Sequence, residues 1–240
     1  MDKEIEKYAK HFNVDLDEIK TPTIDIADGK YQITNPGSKQ PESIERKAQS
    51  KSVSDVTRCT VSLDSYREIP DLVRFLREFI PDLKIEVTEN GATGFRAVDL
   101  VFHTEGVPSC VGVASKKVQS VFPITIARRD KLRGMSIDVQ SPEFLKDLQM
   151  INEFHSLIHD DGDFDSVKGE LHKIGADLRE QSNHRPADDA FENPQQHSIE
   201  VAQEKLIQNL TELLGLYELH LQEKSSRTQK IGESLGTDNL

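Results

Sequence analysis

Residues 38–66, SKQPESIERKAQSKSVSDVTRCTVSLDSY, join a predicted helix to a predicted strand. Proline suits the first position of a helix, so Pro41 predicts a helix that continues to about Lys51. The run VTRCTVSL at 56–63 alternates in polarity and is rich in β-branched residues, which is typical of a strand. A helix followed directly by a strand indicates a mixed α and β core.

Three polar residues stand at the start of that helix. Lys39 lies just before it, and Ser43 and Lys47 share one helical face because they are four residues apart. Backbone N–H groups at a helix start favour phosphate, so two lysines and a hydroxyl there suit a triphosphate. The alternative is an ordinary solvated helix surface.

Further elements are predicted by apolar periodicity on both sides of this stretch. The segment 21–38 is predicted to be a linker with one short strand, and the tail from Lys224 to be mobile. Helices are predicted at 2–12, 67–80, from Ser141 onward, across 164–178 and at 198–222, and strands at 83–89, 95–103, 109–114, 119–127 and 134–140. This order predicts an α+β fold, in which helices flank a mixed sheet of about five strands and a helical extension follows.

Composition disfavours some binding partners and indicates where the protein acts. The 240 residues carry a formal net charge of −12, which disfavours general binding to duplex DNA. The two cysteines, Cys59 and Cys110, have no zinc-site spacing and are predicted to be reduced thiols. No secretory signal and no apolar run of membrane-spanning length occurs, so we expect a cytoplasmic protein, or one delivered to a cytosol by a non-classical route, without a membrane partner.

Four motifs in a fixed order resemble the RelA/SpoT family of alarmone synthetases. They are KQPESIERK at 39–47, Asp55 at the opening of the next strand, GFRAV at 94–98 and IDVQ at 137–140. The resemblance covers about residues 37–158 and implies a nucleotidyltransferase-like fold.

The resemblance also implies roles for individual residues. It implies that ATP phosphates bind to Lys39, Ser43 and Lys47, that Asp55 and Asp138 hold Mg²⁺, that Gln140 is a polar positioner and that Phe95 stacks on the acceptor base. Arg58 and Arg96 are predicted as further nucleotide contacts. Arg58 stands two residues before the position of the family's arginine, and it either reaches the same space or does not. Pyrophosphoryl transfer needs cations and a carboxylate-held Mg²⁺ to offset developing charge. Asp55 and Asp138 are expected on neighbouring strands.

The chain departs from the family pattern at several positions. Gly37 and Thr60 stand where the family has arginines, and Ala97 and Asp99 replace its serine and histidine. About thirty residues are inserted at 104–134. The insertion contains a basic cluster, Arg128, Arg129, Lys131 and Arg133, which either replaces the lost phosphate contacts or forms a charged hairpin tip in solvent.

Two functions therefore remain open. The first is Mg²⁺-dependent pyrophosphoryl transfer from ATP to a nucleotide or an RNA 3′-hydroxyl. The second is a catalytically degenerate module that senses nucleotides or binds a protein, with the C-terminal helices meeting a partner or a second copy. The expected organisation is an N-terminal helix and linker (1–36), the RelA/SpoT-like domain (37–160), C-terminal helices (161–223) and a tail (224–240).

Overall fold

The protein has an α+β fold built on one mixed sheet. The computed structural model describes residues 6–7, 9–10, 15, 21–48, 53–90, 95–116, 118–119, 142, 146–147, 149–150, 161–175, 177–180 and 195–236. Within these ranges seven strands form the sheet, in the order β1-β2-β3-β6-β5-β4-β7. The strands are β1 (Thr23–Ile26), β2 (Tyr31–Thr34), β3 (Thr57–Leu63), β4 (Lys84–Asn90), β5 (Phe95–Thr104), β6 (Val107–Ser115) and β7 (Asp177–Glu180).

Four bounded helices accompany the sheet. They are α1 (Pro41–Ala48), α2 (Ile69–Phe79), α3 (Asp161–Lys173) and α4 (Gln196–Gly236), and a 3₁₀ turn (Tyr66–Glu68) precedes α2. The β3–β6 and β4–β7 pairs are parallel, and the other pairs are antiparallel. The resulting mixed sheet matches the predicted type, and its seven strands exceed the predicted number of about five.

The two faces of the sheet differ in character because strand side chains alternate. One face carries the core and includes Val61, Val111, Leu100 and Ile85, each almost fully buried. The opposite face carries polar or small residues, which we call the polar face. On the central strands it comprises Arg58, Thr60 and Ser62 on β3, Cys110, Gly112 and Ala114 on β6, Ala97, Asp99 and Val101 on β5, and Lys84, Glu86 and Thr88 on β4.

Helix α4 covers the core face and reaches across several strands. Its buried Tyr217 lies 5.3 Å from the ring of Phe75 on α2 and 6.0 Å from that of Tyr31 on β2, measured between centroids. Glu218 accepts hydrogen bonds from Lys30 at 2.7 Å and from the Tyr31 hydroxyl at 3.1 Å. These contacts attach α4 to the β1–β2 hairpin.

A second, smaller apolar cluster holds α1 against the sheet. It contains Ile44, Val53, Val56, Val107, Ile199 and Ala202, all buried. Beneath it the Ser109 hydroxyl lies 2.7 Å from the Thr57 hydroxyl and 2.8 Å from that of Thr104, so these buried polar groups are satisfied. Because Ile44 and Ile199 both belong to this cluster, α1 and the start of α4 are fixed to the same end of β3.

Several predicted elements are confirmed near their predicted bounds. β3, β4 and β5 match, and β6 spans Val107–Ser115 against the predicted 109–114. The predicted helix at 67–80 is a 3₁₀ turn that continues into α2. Ser65 begins it with a capping box, accepting from the Arg67 amide while the Glu68 carboxylate accepts from the Ser65 amide.

Other predictions need correction. The predicted linker forms the hairpin of β1 and β2, whose turn has positive φ at Ala27, Asp28 and Gly29. The helix predicted across 164–178 ends at Lys173, because Gly175 has a φ of 87°, the left-handed conformation that terminates helices. Residues 177–180 then form β7.

The tail and the strand predicted at 119–127 also differ. Residues 224–236 continue α4 instead of forming a mobile tail. Residues 118–119 are helical, and the Ser115 hydroxyl accepts from the Val118 amide, a bond that starts a helical turn. The remainder of that predicted strand, and the strand predicted at 134–140, lie outside the described residues.

Strands of the one sheet lie on both sides of each predicted domain boundary, at 36 and at 160. β2 pairs with β3, and β7 pairs with β4. None of the described helices has the length and apolar character that crossing a membrane requires.

Candidate functional site

The loop between β2 and α1 lies against the start of β3. Asn35 accepts a hydrogen bond from the Gly37 amide at 2.9 Å, and the Lys39 amide donates to the Val56 carbonyl at 2.9 Å. The Arg58 Nε donates to the Gly37 carbonyl at 3.3 Å. Gly37 has a φ of 75°, which a non-glycine residue adopts only with strain.

The predicted phosphate ligand and the predicted metal ligand are paired with each other. Lys39 Nζ lies 2.7 Å from Asp55 Oδ2, with side-chain exposures of 15% and 23%. A half-buried charge-assisted bond of this length is among the stronger polar contacts in a protein. Lys39, Asp55 and Arg58 therefore lie together at one end of β3.

Helix α1 contributes Ser43 from its first turn. The Ser43 amide donates to the Gln40 carbonyl at 2.9 Å, and the side chain is half-buried. Ile44, fully buried beside it, fixes the rotation of the helix. Lys47 is on the same helix, but its side chain lies outside what the structure describes.

A row of cross-strand neighbours crosses the polar face beside this loop. Thr34, Thr60, Gly112, Asp99 and Glu86 are consecutive partners on β2, β3, β6, β5 and β4. A Cβ added to Gly112 would lie 3.6 Å from Thr60 Oγ1 and 3.7 Å from Asp99 Oδ1. The glycine thus leaves space between a hydroxyl and a carboxylate. Asp99 and Glu86 are like charges placed directly opposite, which makes this part of the row unfavourable for phosphate.

The neighbours of β3 bear on the predicted metal site. β3 pairs with β2 on one side and with β6, along its whole length, on the other. On the polar face β6 presents Cys110, Gly112 and Ala114, so this neighbouring strand brings no carboxylate to β3. The other predicted ligand, Asp138, and the predicted positioner, Gln140, lie outside the described residues.

The described residues do not by themselves form a Mg²⁺ site. No group of three or more histidine, cysteine, aspartate or glutamate residues among them is arranged to hold a metal ion. Asp55 is the one predicted metal ligand in the described ranges, and its carboxylate is held by Lys39. Mg²⁺ prefers several oxygen ligands in near-octahedral geometry, and among the described residues Asp55 alone does not supply them.

Arg96 is separated from the other predicted nucleotide contacts. It shares the core face of β5 with Val98, and its guanidinium lies over the ring of Phe164, 5.4 Å from the centroid. The structure therefore does not bring Arg96 together with Arg58. Phe95 pairs with Asn90 through the strand register, but its side chain lies outside the described part of the chain.

One polar residue at this site escaped the sequence motifs. Gln203 of α4 is buried, and its Oε1 accepts from the Arg58 amide at 3.0 Å. Its Nε2 donates to the Arg58 carbonyl at 2.9 Å and to Asn35 Oδ1 at 3.0 Å. The sequence feature that indicates this residue is a glutamine on the apolar stripe of α4, between Ile199 and Leu206. A buried amide needs hydrogen-bond partners, so a glutamine on such a stripe predicts a polar contact.

The two cysteines flank the site without joining it. Both are free thiols, as predicted. Burial raises the pKa of the Cys59 thiol well above its ordinary value, so this cysteine is not a nucleophile at neutral pH. Cys110 lies on the polar face beside Arg58 in the strand register.

Comparisons with known proteins add no relative. No protein-family model, no curated protein and no solved structure matches the chain.

Proposed function

We propose that this chain is a RelA/SpoT-like, nucleotidyltransferase-type domain that binds a nucleoside triphosphate and has lost pyrophosphoryl transfer, so that it acts as a nucleotide-sensing module. One observation supports it most directly. The Arg58 side chain donates to the Gly37 carbonyl, so its guanidinium lies beside the loop of Lys39. Gly37 is the position at which the resembling family carries an arginine, and Arg58 supplies a cation to the same place from β3.

The charges at the site give the nucleotide an orientation. Lys39 and Arg58 form the cationic end, beside the N-terminus of α1, where the helix dipole also favours negative charge. Asp99 and Glu86 form an acidic end two and three strands away from β3. We therefore place the phosphates at the Lys39 end.

Loss of transfer is inferred from the strands beside Asp55. Pyrophosphoryl transfer depends on carboxylates that hold Mg²⁺ around the phosphates. In the part of the chain that the structure describes, β6 offers Cys110, Gly112 and Ala114 to β3, and the Asp55 carboxylate is engaged by Lys39. Phosphate bound at Lys39 would compete with Asp55 for the same ammonium charge, which suits reversible sensing.

An active enzyme is the second candidate. The observation in its favour is that Lys39, Ser43, Asp55 and Arg58, all predicted from sequence, lie at the same end of β3. In this version ATP donates pyrophosphate to a nucleotide or an RNA 3′-hydroxyl. For either candidate, the exposed C-terminal half of α4 is the surface proposed for a protein partner or a second copy.

The two candidates are separated by Asp55→Asn. If the chain only binds ATP, this change removes a carboxylate that competes with phosphate for Lys39, so affinity for ATP rises. A contribution of about 1 kcal/mol corresponds to about a fivefold lower Kd. If the chain transfers pyrophosphate, the same change abolishes product formation.

The experiment combines calorimetric titration of ATP, with and without Mg²⁺, and an assay with ATP labelled in the γ-phosphate. The acceptors are GDP, GTP, AMP and bulk tRNA in turn. Lys39→Gln is expected to weaken ATP binding, and Lys205→Gln, an exposed position on α4, is the matched control. A labelled product that disappears in Asp55→Asn would replace the sensing proposal with the enzyme, and a folded protein that binds no ATP would refute both.

A further inference from the structure

Gln203 closes a ring of hydrogen bonds around the start of β3. Its side chain bonds both backbone groups of Arg58 and the Asn35 side chain. Asn35 in turn accepts from the Gly37 amide, and the Gly37 carbonyl accepts from Arg58 Nε. Every member of the ring therefore touches either the loop that precedes Lys39 or the strand that follows Asp55.

The orientation of the Gln203 amide follows from its partners. The Arg58 N–H requires an acceptor and the Arg58 carbonyl requires a donor, so Oε1 must face the first and Nε2 the second. In this arrangement the side chain bonds one residue of β3 through both backbone groups, as a neighbouring strand does. Gln32 to Thr34 of β2 pair with Ser62 to Thr60 of β3. Gln203 therefore extends the pairing along β3 beyond the end of β2.

We propose that Gln203 is a positioning residue for the nucleotide site, through which α4 sets the placement of Arg58 and of the loop that carries Lys39. This inference rests on the proposed function, because the ligand it serves is the triphosphate of a nucleotide. Gln203 itself touches no phosphate. Its effect passes through the Arg58 backbone on one side and through Asn35 and Gly37 on the other.

The physical basis is that one buried amide holds two segments at once. Replacing it leaves the Arg58 backbone groups and the Asn35 oxygen without their buried partner, and such groups shift to find others. Glycine adopts many backbone conformations, so the loop at Gly37 is free to change shape once these bonds are lost. Movement of α4 along its axis therefore changes the position of the cations that meet the phosphates.

The test compares Gln203→Met with Gln208→Met in the full chain. Methionine has a similar length and no amide. Gln208 is exposed on the same helix and bonds Glu212 at 3.1 Å, so its replacement is the matched control. Affinity for ATP is measured by calorimetry, and the ¹H–¹⁵N resonances of the Arg58 amide, Arg58 Nε and the Gly37 amide are recorded without nucleotide.

The expected result for Gln203→Met is about a tenfold higher Kd for ATP, the equivalent of about 1.4 kcal/mol. All three resonances shift, and the Arg58 and Gly37 amides exchange faster, whereas the Ile80 amide, bonded to the Leu76 carbonyl in α2, keeps its protection. Gln208→Met behaves as the wild type in both measurements. A purely structural glutamine would lower thermal stability and leave the Kd of the folded fraction unchanged, which would overturn the inference.

A second pair of variants covers the case in which Gln203→Met does not fold. Asn35→Ser keeps an uncharged acceptor oxygen at this position, and Asn35→Leu removes it, so Asn35→Leu is expected to weaken ATP binding much more than Asn35→Ser. Wild-type affinity in folded Asn35→Leu would overturn the inference. If the wild type binds no ATP, the proposed function fails and this inference fails with it, whereas wild-type binding with unaltered variants refutes only the role of Gln203.

Discussion

The Lys39–Asp55 ion pair makes a prediction about folding stability that does not depend on any ligand. The two charged atoms are 2.7 Å apart and the side chains are 15% and 23% exposed. For a hydrogen bond between charged groups that are largely shielded from water, we expect a coupling energy of about 1.5–3 kcal/mol. In a domain of this length that corresponds to a shift in Tm of about 3–12 °C.

The chain offers a control pair with a similar N···O distance. Arg74 and Asp71 on α2 are 2.6 Å apart, but their side chains are 48% and 57% exposed. For such an exposed pair we expect a coupling energy of about 0.3–0.5 kcal/mol. The control is a local pair on one helix, and Arg74 also bonds Glu170 at 3.5 Å, so the comparison contrasts an exposed helical pair with a shielded pair that joins two segments.

The assay is a double-mutant cycle for each pair, with urea unfolding followed by circular dichroism. The first cycle uses Lys39→Met, Asp55→Asn and the double variant, and the second uses Arg74→Met, Asp71→Asn and their double variant. Raising the salt concentration to about 1 M shortens the Debye length to about 3 Å and should reduce the second coupling more than the first. A Lys39–Asp55 coupling no larger than that of the control would refute the view that this pair organises the start of β3.

Three further outcomes follow from individual contacts. Ile44→Ala should lower the free energy of unfolding by about 2–5 kcal/mol, because Ile44 is fully buried; a loss close to that of the exposed control Ile24→Ala would contradict the second apolar cluster. Glu218→Gln tests a pKa: partial burial alone would raise the pKa of Glu218, but hydrogen bonds from Lys30, Gln222 and Tyr31 outweigh it and hold the pKa below its ordinary 4.5. A depressed pKa stabilises the folded state at pH values above that ordinary value. In urea unfolding, Glu218→Gln should therefore have a lower free energy of unfolding than the wild type at pH 7, and the two free energies should approach each other as the pH falls below about 4.5. A difference that does not change with pH would count against the hydrogen-bond network. Gly112→Ala should stay within about 1 kcal/mol of the wild type, because its new Cβ would make contacts of 3.6 Å or longer; a much larger loss in urea unfolding would mean that the space beside Asp99 is needed for folding.

The central strands could be predicted because each carries a strong two-residue alternation. β3 and β6 alternate buried with partly exposed residues, and α2 has an apolar stripe and follows a 3₁₀ turn that begins with a capping box. The edges of the sheet could not be predicted in this way. β1 and β2 have four residues each, and β1 is largely exposed, so neither carries enough apolar pattern to distinguish a strand from a linker.

The continuation of α4 shows a different reason for failure. Residues 224–229 are exposed and have no apolar stripe, so periodicity predicted an unstructured tail. The helix is instead accompanied by local polar contacts. Arg227 lies 3.7 Å from Glu223, and the Ser226 and Thr228 hydroxyls donate to the Gln222 and Lys224 carbonyls. Hydrophobic periodicity does not detect contacts of this kind, because the residues that make them are polar.

Sequence motifs named several residues of the candidate site but did not predict which of them bond to each other. Lys39, Ser43, Asp55 and Arg58 were found from motif spacing, and they do lie at one end of β3. Spacing cannot show that Lys39 and Asp55 bond to each other, because that contact depends on how the loop before α1 folds back along residues 55–58. Gln203 was missed because its partners are 145 and 168 residues away in sequence.

Arg58 shows how the loop at Gly37 gains a cation from another element. In the resembling family, arginines stand at the positions of Gly37 and Thr60, and Arg58 lies two residues before Thr60 in sequence. In space, its Nε bonds the Gly37 carbonyl. Because Gly37 has a φ of 75°, an arginine at that position would be strained in this loop, whereas an arginine on β3 reaches the same place from an unstrained strand. The cation and the glycine turn are therefore compatible in this arrangement, in which the backbone of Arg58 is held by Gln203.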